Sequence, residues 1–114
     1  ADVVAIASRD TERARAAADA LGVASAYGSY EALLESGEVD AVYLPLPNDL
    51  HAQWTVRAAQ AGVHVLCEKP LAMSASQAQE MIDHCAAAGV ILAEAFMYRH
   101  HPQTLHRCCQ HVVF

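Results

Sequence analysis

The sequence predicts an α/β protein built on a doubly wound parallel sheet. Its apolar residues gather in short continuous runs, which is typical of strands buried on both faces of a parallel sheet. Alanine-rich segments with helix-capping residues separate these runs, so that strand and helix alternate along the chain. The connections are short, as expected for right-handed crossovers between parallel strands. We therefore expect helices on both faces of the sheet.

Five strands and four helices are predicted. The strands are ADVVAIA (1–7), VASAYG (23–28), VDAVYLPLP (39–47), VHVLCE (63–68) and VILAEAF (90–96). The helices are DTERARAAADALG (10–22), SYEALLES (29–36), NDLHAQWTVRAAQAG (48–62) and SASQAQEMIDHCAAAG (74–89). Asp10 or Thr11, Ser29 and Ser74 are the expected N-caps, and Ser74 forms a capping box with Gln77. Glycines end three of the helices.

Composition and charge argue against several classes of protein. The formal net charge of −6 is unsuited to nucleic acid, which needs a basic face. No apolar run approaches the roughly 20 residues of a membrane span, and the first residues lack the basic character of a signal peptide. Four cysteines occur without a CxxC spacing, and Cys67 and Cys85 lie in apolar surroundings. We therefore expect buried free thiols and a reducing cytoplasmic location.

The ends of the strands are where a ligand is expected. In open parallel sheets, ligands bind beyond the carboxyl ends of the strands, at the point where the strand order reverses. Most of the unusual polar residues of this chain occupy such places. They are Ser8 and Arg9, the segment 45–51, the segment 68–70 and the segment 98–102.

The apolar run 63–67 ends in Glu68, Lys69 and Pro70. One interpretation is an exposed ion pair between Glu68 and Lys69, which contributes little to stability. The other is functional, because an ammonium at a partly desolvated strand end can bind a substrate hydroxyl and stabilise developing negative charge. Pro70 fixes the backbone and permits a cis bond. The residues alone leave both interpretations open.

The end of the first strand bears on cofactor preference. This strand is compared with the second strand of the dinucleotide-binding fold. At an NAD site that strand usually ends in an acid, whereas at an NADP site it ends in small polar residues and arginine. Ser8 takes about the place of the acid here, and Arg9 could grip a 2′-phosphate or stack on adenine. Asp10 could bind a ribose hydroxyl or cap a helix, and Arg9 could simply be solvated. We favour NADP over NAD.

Three further side chains have both a functional and a structural interpretation. His51 could be a ligand or a base, but packing under the loop before it is favoured. Trp54 is expected in the core or an interface, and Tyr98 is either an acid, a substrate clamp or a packed aromatic residue. The tail holds four potential metal ligands, His106, Cys108, Cys109 and His111. Their spacing does not match usual zinc sites, so no metal site is predicted.

The segment VLCEKPLAMS resembles the Glu-Lys-Pro signature of the glucose–fructose oxidoreductase and inositol dehydrogenase family, called Gfo/Idh/MocA. The resemblance extends along nearly the whole chain, from VAIASRD through VDAVYLPLPNDLHA to AEAFMYRHHPQ. Four motifs in order, each at a strand end, make it specific. The last segment is most similar to the branch that contains dihydrodiol and sugar dehydrogenases.

The resemblance implies an NAD(P)-dependent oxidoreductase that moves hydride between nicotinamide and a hydroxyl carbon of a sugar, polyol or diol. It implies that Lys69 is catalytic and transfers the hydroxyl proton, while Glu68 contacts the nicotinamide side of the cofactor. It also implies a cofactor cleft lined by Leu46, Pro47, Asn48 and His51, and closed by Tyr98 towards the substrate and by Arg99. Such a parent enzyme is expected to be a homo-oligomer that binds neither nucleic acid nor membrane.

Two parts of the family pattern are not found in this sequence. One is the first strand of the Rossmann-like fold with its glycine-rich turn, which binds the pyrophosphate, and the other is the substrate domain. Residues 1–114 are therefore expected to form a partial NAD(P)-binding domain, in which the strands at 3–7 and 39–44 lack their common neighbour. The alternative function is a non-catalytic remnant that at most associates with another chain. Alone, the chain is expected to be inactive, to bind no dinucleotide and to form no stable monomer.

Overall fold

The computed structural model describes residues 1–102, in which strands and helices alternate as predicted. The strands are β1 (Ala5–Ala7), β2 (Ser25–Tyr27), β3 (Ala41–Leu44), β4 (His64–Cys67) and β5 (Leu92–Glu94). The helices are α1 (Thr11–Leu21), α2 (Tyr30–Glu35), α3 (His51–Gln60) and α4 (Ala75–Ala88), with 3₁₀ turns at Asn48–Leu50 and Met97–His100. All strand pairs are parallel, which confirms the α/β class.

The helix ends follow the capping chemistry of the sequence. The carboxylate of Asp10 accepts a 2.9 Å hydrogen bond from the backbone N–H of Arg13, so Asp10 is the N-cap of α1. Ser29 and Ser74 cap α2 and α4 in the same way. At the N-terminal end of α4, the side-chain oxygen of Gln77 accepts a hydrogen bond from the N–H of Met73. In a standard capping box the donor would be the N–H of the N-cap residue, one position later.

The strands are shorter than the apolar runs that predicted them. The run 39–47 forms strand only over Ala41–Leu44, because Pro45 and Pro47 have no N–H to donate to a ladder. The run 1–7 is strand only over Ala5–Ala7, where it pairs with β2. Both predictions were right in type and too long at the ends.

The sheet is in two parts. β1 pairs with β2, and β3, β4 and β5 form a separate three-stranded unit in that order. Within residues 1–102 no strand joins β1 to β3. This confirms the expectation that these two strands lack a common neighbour and leave backbone donors and acceptors unpaired at their edges.

The main core lies between the three-stranded unit and the helices α3 and α4. It contains Val42, Ala58, Val63, Val65, Cys67 and Met81. Trp54 is also buried and meets the ring of Tyr30 edge-on at 4.9 Å, so the prediction that it belongs to the core is confirmed. Because this core holds β3 and β4 in register, it fixes where their carboxyl ends lie.

The opposite face of the three-stranded unit is open. Side chains alternate along a strand, so Val42 and Val65 face the core while Tyr43 and Leu66 point away from it. Tyr43 is 54% exposed and Leu66 is 42% exposed. Helices were expected on both faces, but within residues 1–102 those of the main core cover one face of this unit. No helix in this range is long and apolar enough to cross a membrane.

Candidate functional site

The carboxyl ends of β3, β4 and β5 meet at one edge of the sheet. Their final residues, Leu44, Cys67 and Glu94, lie side by side in the parallel register. The ladder continues one step further, since the N–H of Glu68 donates to the carbonyl of Leu44 at 3.2 Å and that of Ala95 donates to Cys67 at 2.8 Å. Three loops therefore start together here, which is the edge where the sequence predicted a ligand.

The turn after β4 carries Lys69, the only lysine of the 114-residue chain. The Lys69–Pro70 peptide is cis, as the sequence allowed. Beyond it, the N–H of Leu71 donates to a carboxylate oxygen of Glu94 at 2.8 Å, which ties the turn to the end of β5. The Lys69 side chain is exposed, and its ammonium makes no ion pair with any residue in 1–102. The ion-pair interpretation of Glu68 and Lys69 is therefore not what is observed.

Glu68 is held by its neighbours in a defined orientation. One carboxylate oxygen accepts a 2.6 Å hydrogen bond from the hydroxyl of Tyr43, and the other accepts from the N–H of Lys69 at 3.2 Å. The Tyr43 hydrogen bond is the main cause that lowers the pKa of Glu68 below its ordinary value, followed by the backbone bond. The same hydrogen bond raises the pKa of Tyr43. An ionised carboxylate next to a neutral phenol is therefore the stable state at neutral pH.

Tyr43 is the residue that sequence reasoning missed. In the sequence it is only one residue of an apolar strand. The register pairs Tyr43 with Leu66, and strand alternation then places Glu68 diagonally beside it on the same face. A polar aromatic residue on that face, close to the strand end, was the available signal.

His51 lies beneath two of these loops. Its side chain is fully buried, with Nδ1 2.9 Å from the carbonyl oxygen of Pro70 and Nε2 2.8 Å from that of Leu46. Both ring nitrogens are thus occupied by backbone carbonyls rather than turned towards a cleft. The favoured interpretation, packing under the loop, is confirmed, and direct contact with a cofactor is not available to this side chain in the described arrangement.

The other predicted cofactor residues of the loop after β3 are accessible. Pro47 and Asn48 are exposed and Leu46 is half-buried, at the start of the 3₁₀ turn that leads into α3. Tyr98 and Arg99 lie in the 3₁₀ turn after β5, at the same edge of the sheet. Both side chains are exposed, and the Tyr98 ring centroid is 5.5 Å from that of Phe96.

Ser8 and Arg9 belong to the other part of the sheet, at the carboxyl end of β1. Ser8 is half-buried and its N–H donates to the carbonyl of Tyr27 at 3.0 Å. Arg9 is exposed. Asp10 is engaged as the N-cap of α1, so that of its two interpretations the structural one is observed.

The cysteines and the potential metal ligands of the tail are the remaining residues that the sequence singled out. Cys67 is buried directly before Glu68, and burial raises the pKa of its thiol to about 11, which keeps it neutral and unreactive. Cys85 is buried as well, so both thiols are placed as predicted. The four potential metal ligands of the tail, His106, Cys108, Cys109 and His111, lie outside the described residues.

Comparison with known proteins gives consistent matches. Residues 1–96 match the GFO_IDH_MocA family model, described as an oxidoreductase family with an NAD-binding Rossmann fold. The chain is 60% identical over 103 residues to D-xylose 1-dehydrogenase (NADP(+)) 2 of Haloferax volcanii, covering 90% of this chain and 32% of that enzyme. It is 42% identical over 100 residues to trans-1,2-dihydrobenzene-1,2-diol dehydrogenase of Xenopus tropicalis, covering 88% of this chain and 30% of that enzyme.

Solved structures agree. A 3-ketoreductase from Actinomadura kijaniata, crystallised with TDP-benzene and NADP, superposes with a TM-score of 0.86 at 46% identity. That match covers 95% of this chain and 33% of the ketoreductase, so the chain spans about a third of the length of the relatives it matches. The family model covers residues 1–96, which include all five strands of the described residues 1–102 and the Glu68–Pro70 turn. The chain belongs to the Gfo/Idh/MocA family of oxidoreductases, in its NAD-binding Rossmann domain.

Proposed function

We propose that this chain is the dinucleotide-binding part of an oxidoreductase that transfers hydride between NAD(P) and a hydroxyl-bearing carbon of a sugar, polyol or diol. The observation that carries the proposal is the Lys69 turn. Lys69 has an exposed ammonium without an ion-pair partner in residues 1–102. Its turn is held to the end of β5 by the hydrogen bond from the N–H of Leu71 to Glu94. The relatives named above, which act on D-xylose or on a dihydrodiol according to their names, support the substrate class.

Lys69 serves the substrate oxygen in this proposal. The nicotinamide, when bound, accepts or supplies the hydride. The oxygen on the reacting carbon must lose a proton in oxidation and gain one in reduction. Lys69 hydrogen-bonds that oxygen and stabilises the negative charge that develops on it. In reduction its ammonium donates the proton to the oxygen and becomes the neutral amine, and in oxidation the neutral amine accepts the proton of the hydroxyl and becomes the ammonium. An ammonium that is not already paired with a carboxylate is suited to this role.

Glu68 supplies the fixed acceptor of the site. Its carboxylate already receives bonds from Tyr43 and from the backbone of Lys69, and it keeps further lone pairs free. We assign to it the nicotinamide side of the cofactor, where amide and ribose groups offer donors. Pro47, Asn48 and Leu46 line the same cleft, with Arg99 and Tyr98 closing it towards the substrate.

NADP is the preferred cofactor in this proposal. The capping of α1 uses the carboxylate of Asp10, which leaves the exposed guanidinium of Arg9 and the hydroxyl of Ser8 for the 2′ position. A guanidinium forms charge-assisted, bidentate bonds with a phosphate, whereas a ribose hydroxyl prefers a carboxylate. The H. volcanii enzyme is named for NADP(+), which supports the same preference.

We propose that the parent enzyme is a homo-oligomer in the cytoplasm, with a small sugar or diol as its substrate and neither nucleic acid nor membrane as a partner. The two buried free thiols support a reducing compartment.

The alternative is a non-catalytic chain that associates with another chain. The unpaired edges of β1 and β3 favour it, because exposed backbone donors and acceptors invite pairing. The two functions differ in one respect that can be measured: only the first requires the Lys69 turn to support turnover.

A grafted enzyme tests the proposal. Residues 1–102 replace the segment that they match in the H. volcanii D-xylose 1-dehydrogenase, and the product is called the graft below. We expect D-xylose-dependent reduction of NADP, measured under the conditions in which the unmodified relative is active, and slower reduction of NAD. A graft that unfolds cooperatively yet reduces neither cofactor would contradict the proposal and favour the non-catalytic alternative.

A further inference from the structure

We infer that His51 is a positioning residue that sets the Lys69 turn and the loop after β3 through separate nitrogens of one ring. The inference deepens the proposed function and rests on it. His51 touches neither reacting group itself. It acts through two backbone carbonyls, those of Leu46 and Pro70, in the two loops that line the proposed cofactor cleft.

The geometry of the ring carries the argument. The imidazole is fully buried at the start of α3, and its two nitrogens lie 2.8 and 2.9 Å from two carbonyl oxygens that belong to different loops. Carbonyl oxygens only accept and a neutral imidazole carries a single N–H, so both contacts are hydrogen bonds at the same time only in the imidazolium form, in which both nitrogens carry a proton. We take His51 in that form, because two acceptors at these distances are satisfied together by no other. An apolar ring of the same shape would fill the same space and hold neither loop.

The two contacts serve different parts of the cleft. Nε2 reaches Leu46, directly before Pro47 and Asn48 of the proposed cofactor loop. Nδ1 reaches Pro70, the neighbour of Lys69. One buried ring therefore holds both the cofactor loop and the backbone next to the catalytic ammonium. Because a different ring nitrogen contacts each of them, the two effects can be separated by substitution.

Asparagine and glutamine at position 51 each keep one of the two contacts and lose the other. The amide nitrogen of asparagine lies about where Nδ1 of histidine lies, and that of glutamine about where Nε2 lies. His51→Asn thus keeps a donor towards Pro70 and loses the one towards Leu46, whereas His51→Gln does the reverse. We expect His51→Asn to raise the KM for NADP about tenfold with kcat nearly unchanged, and His51→Gln to lower kcat about tenfold with that KM nearly unchanged.

The experiment measures both constants in the graft, with His51→Phe as the variant that loses both donors and changes both constants. His64→Asn and His64→Gln are the matched controls. His64 lies at the opposite end of β4 and accepts from the N–H of Ile91 at 2.9 Å, so its replacement should leave both constants unaltered. Denaturant unfolding of every variant accompanies the kinetics.

The outcomes separate the inference from the proposed function. Opposite effects of the asparagine and glutamine variants support the inference. Equal effects of the two, or none, overturn it while an active graft upholds the proposed function. Loss of cooperative unfolding in both variants also overturns it, because His51 would then be needed for the fold itself. A folded but inactive parent graft contradicts the proposed function, and the inference with it.

Discussion

The hydroxyl of Tyr43 donates a 2.6 Å hydrogen bond to the carboxylate of Glu68, across two neighbouring strands and 25 positions of sequence. Together with the N–H of Lys69, it leaves the carboxylate ionised and oriented beside the proposed catalytic ammonium. The strand register makes this contact possible, because Tyr43 and Glu68 are diagonal neighbours on one face of the sheet.

The Tyr43→Phe substitution should raise the pKa of Glu68. The tyrosine hydroxyl is the largest cause of the lowered value, and phenylalanine keeps the ring but donates nothing. A lowered carboxyl pKa stabilises the fold above the ordinary glutamate value, and this contribution is lost as pH falls through the lowered value. The variant should therefore have a smaller contribution at neutral pH, and what remains of it should be lost at a higher pH than in the parent.

NMR titration of the Glu68 carboxyl carbon in the graft checks this expectation. Tyr30→Phe is the control, since Tyr30 packs against Trp54 and makes no contact with Glu68. An unchanged Glu68 titration in Tyr43→Phe, or an equal shift in Tyr30→Phe, would show that the hydrogen bond does not set the pKa.

Arg9→Ala should weaken binding of NADP and leave binding of NAD nearly unchanged. A hydrogen bond to a charged group contributes about 1.5–3 kcal/mol, so the Kd for NADP should rise at least tenfold. Arg15→Ala is the control, because Arg15 is an exposed arginine on α1. Fluorescence titration of the parent graft and of the two variants with each cofactor gives the six dissociation constants. Equal losses for NADP and NAD, or none, would contradict a 2′-phosphate role for Arg9.

Gly28→Ala should destabilise the protein through a steric clash at the end of β2. A methyl group at Gly28 would overlap the hydroxyl of Thr11 and lie 3.2 Å from its Cβ. Overpacking of this kind costs about 1–3 kcal/mol. Thr11→Ala removes the hydroxyl, so the double variant should recover most of the loss.

Denaturant unfolding of the single and double variants of the graft measures the recovery. Thr11→Ala alone is the control for the effect of the threonine. A Gly28→Ala variant within about 0.5 kcal/mol of the parent would mean that the loop adjusts without cost.

The 114-residue chain by itself should associate rather than remain a stable monomer. β1 and β3 each have an unpaired edge in residues 1–102, and Tyr43 and Leu66 are exposed on the uncovered face of the three-stranded unit. Sedimentation and light scattering across a range of concentrations test this expectation. A monodisperse monomer with a cooperative unfolding transition that millimolar NADP stabilises would contradict it.

The sequence was sufficient to predict the order of the elements and the edge where the site lies. Continuous apolar runs indicate buried parallel strands, and the capping residues Asp10, Ser29 and Ser74 act locally, so both signals survive folding. The position of Lys69 at a strand end follows from the same reasoning. The lack of a strand between β1 and β3 in residues 1–102 was predicted as well, because one strand of the family pattern is not found in this sequence.

The contacts within the site could not be predicted in the same way. The bonds from Tyr43 to Glu68 and from Leu71 to Glu94 join positions more than 20 residues apart, and they exist only in one register of the strands. His51 offered a ligand, a base or a packed side chain, and only its burial beneath two carbonyls decides among them. Long-range register is the part of the problem that local patterns leave undetermined.

The most direct test of the account is the turnover of the Lys69→Ala graft. Lys69 is proposed to stabilise charge on the substrate oxygen and to move its proton, a contribution of about 10²–10⁴-fold in rate. We predict that kcat for D-xylose oxidation falls at least a hundredfold, that the Kd for NADP changes less than about threefold, and that the unfolding transition is unaltered. A kcat within about threefold of the parent, in a variant that folds and binds NADP normally, would contradict the catalytic role of Lys69.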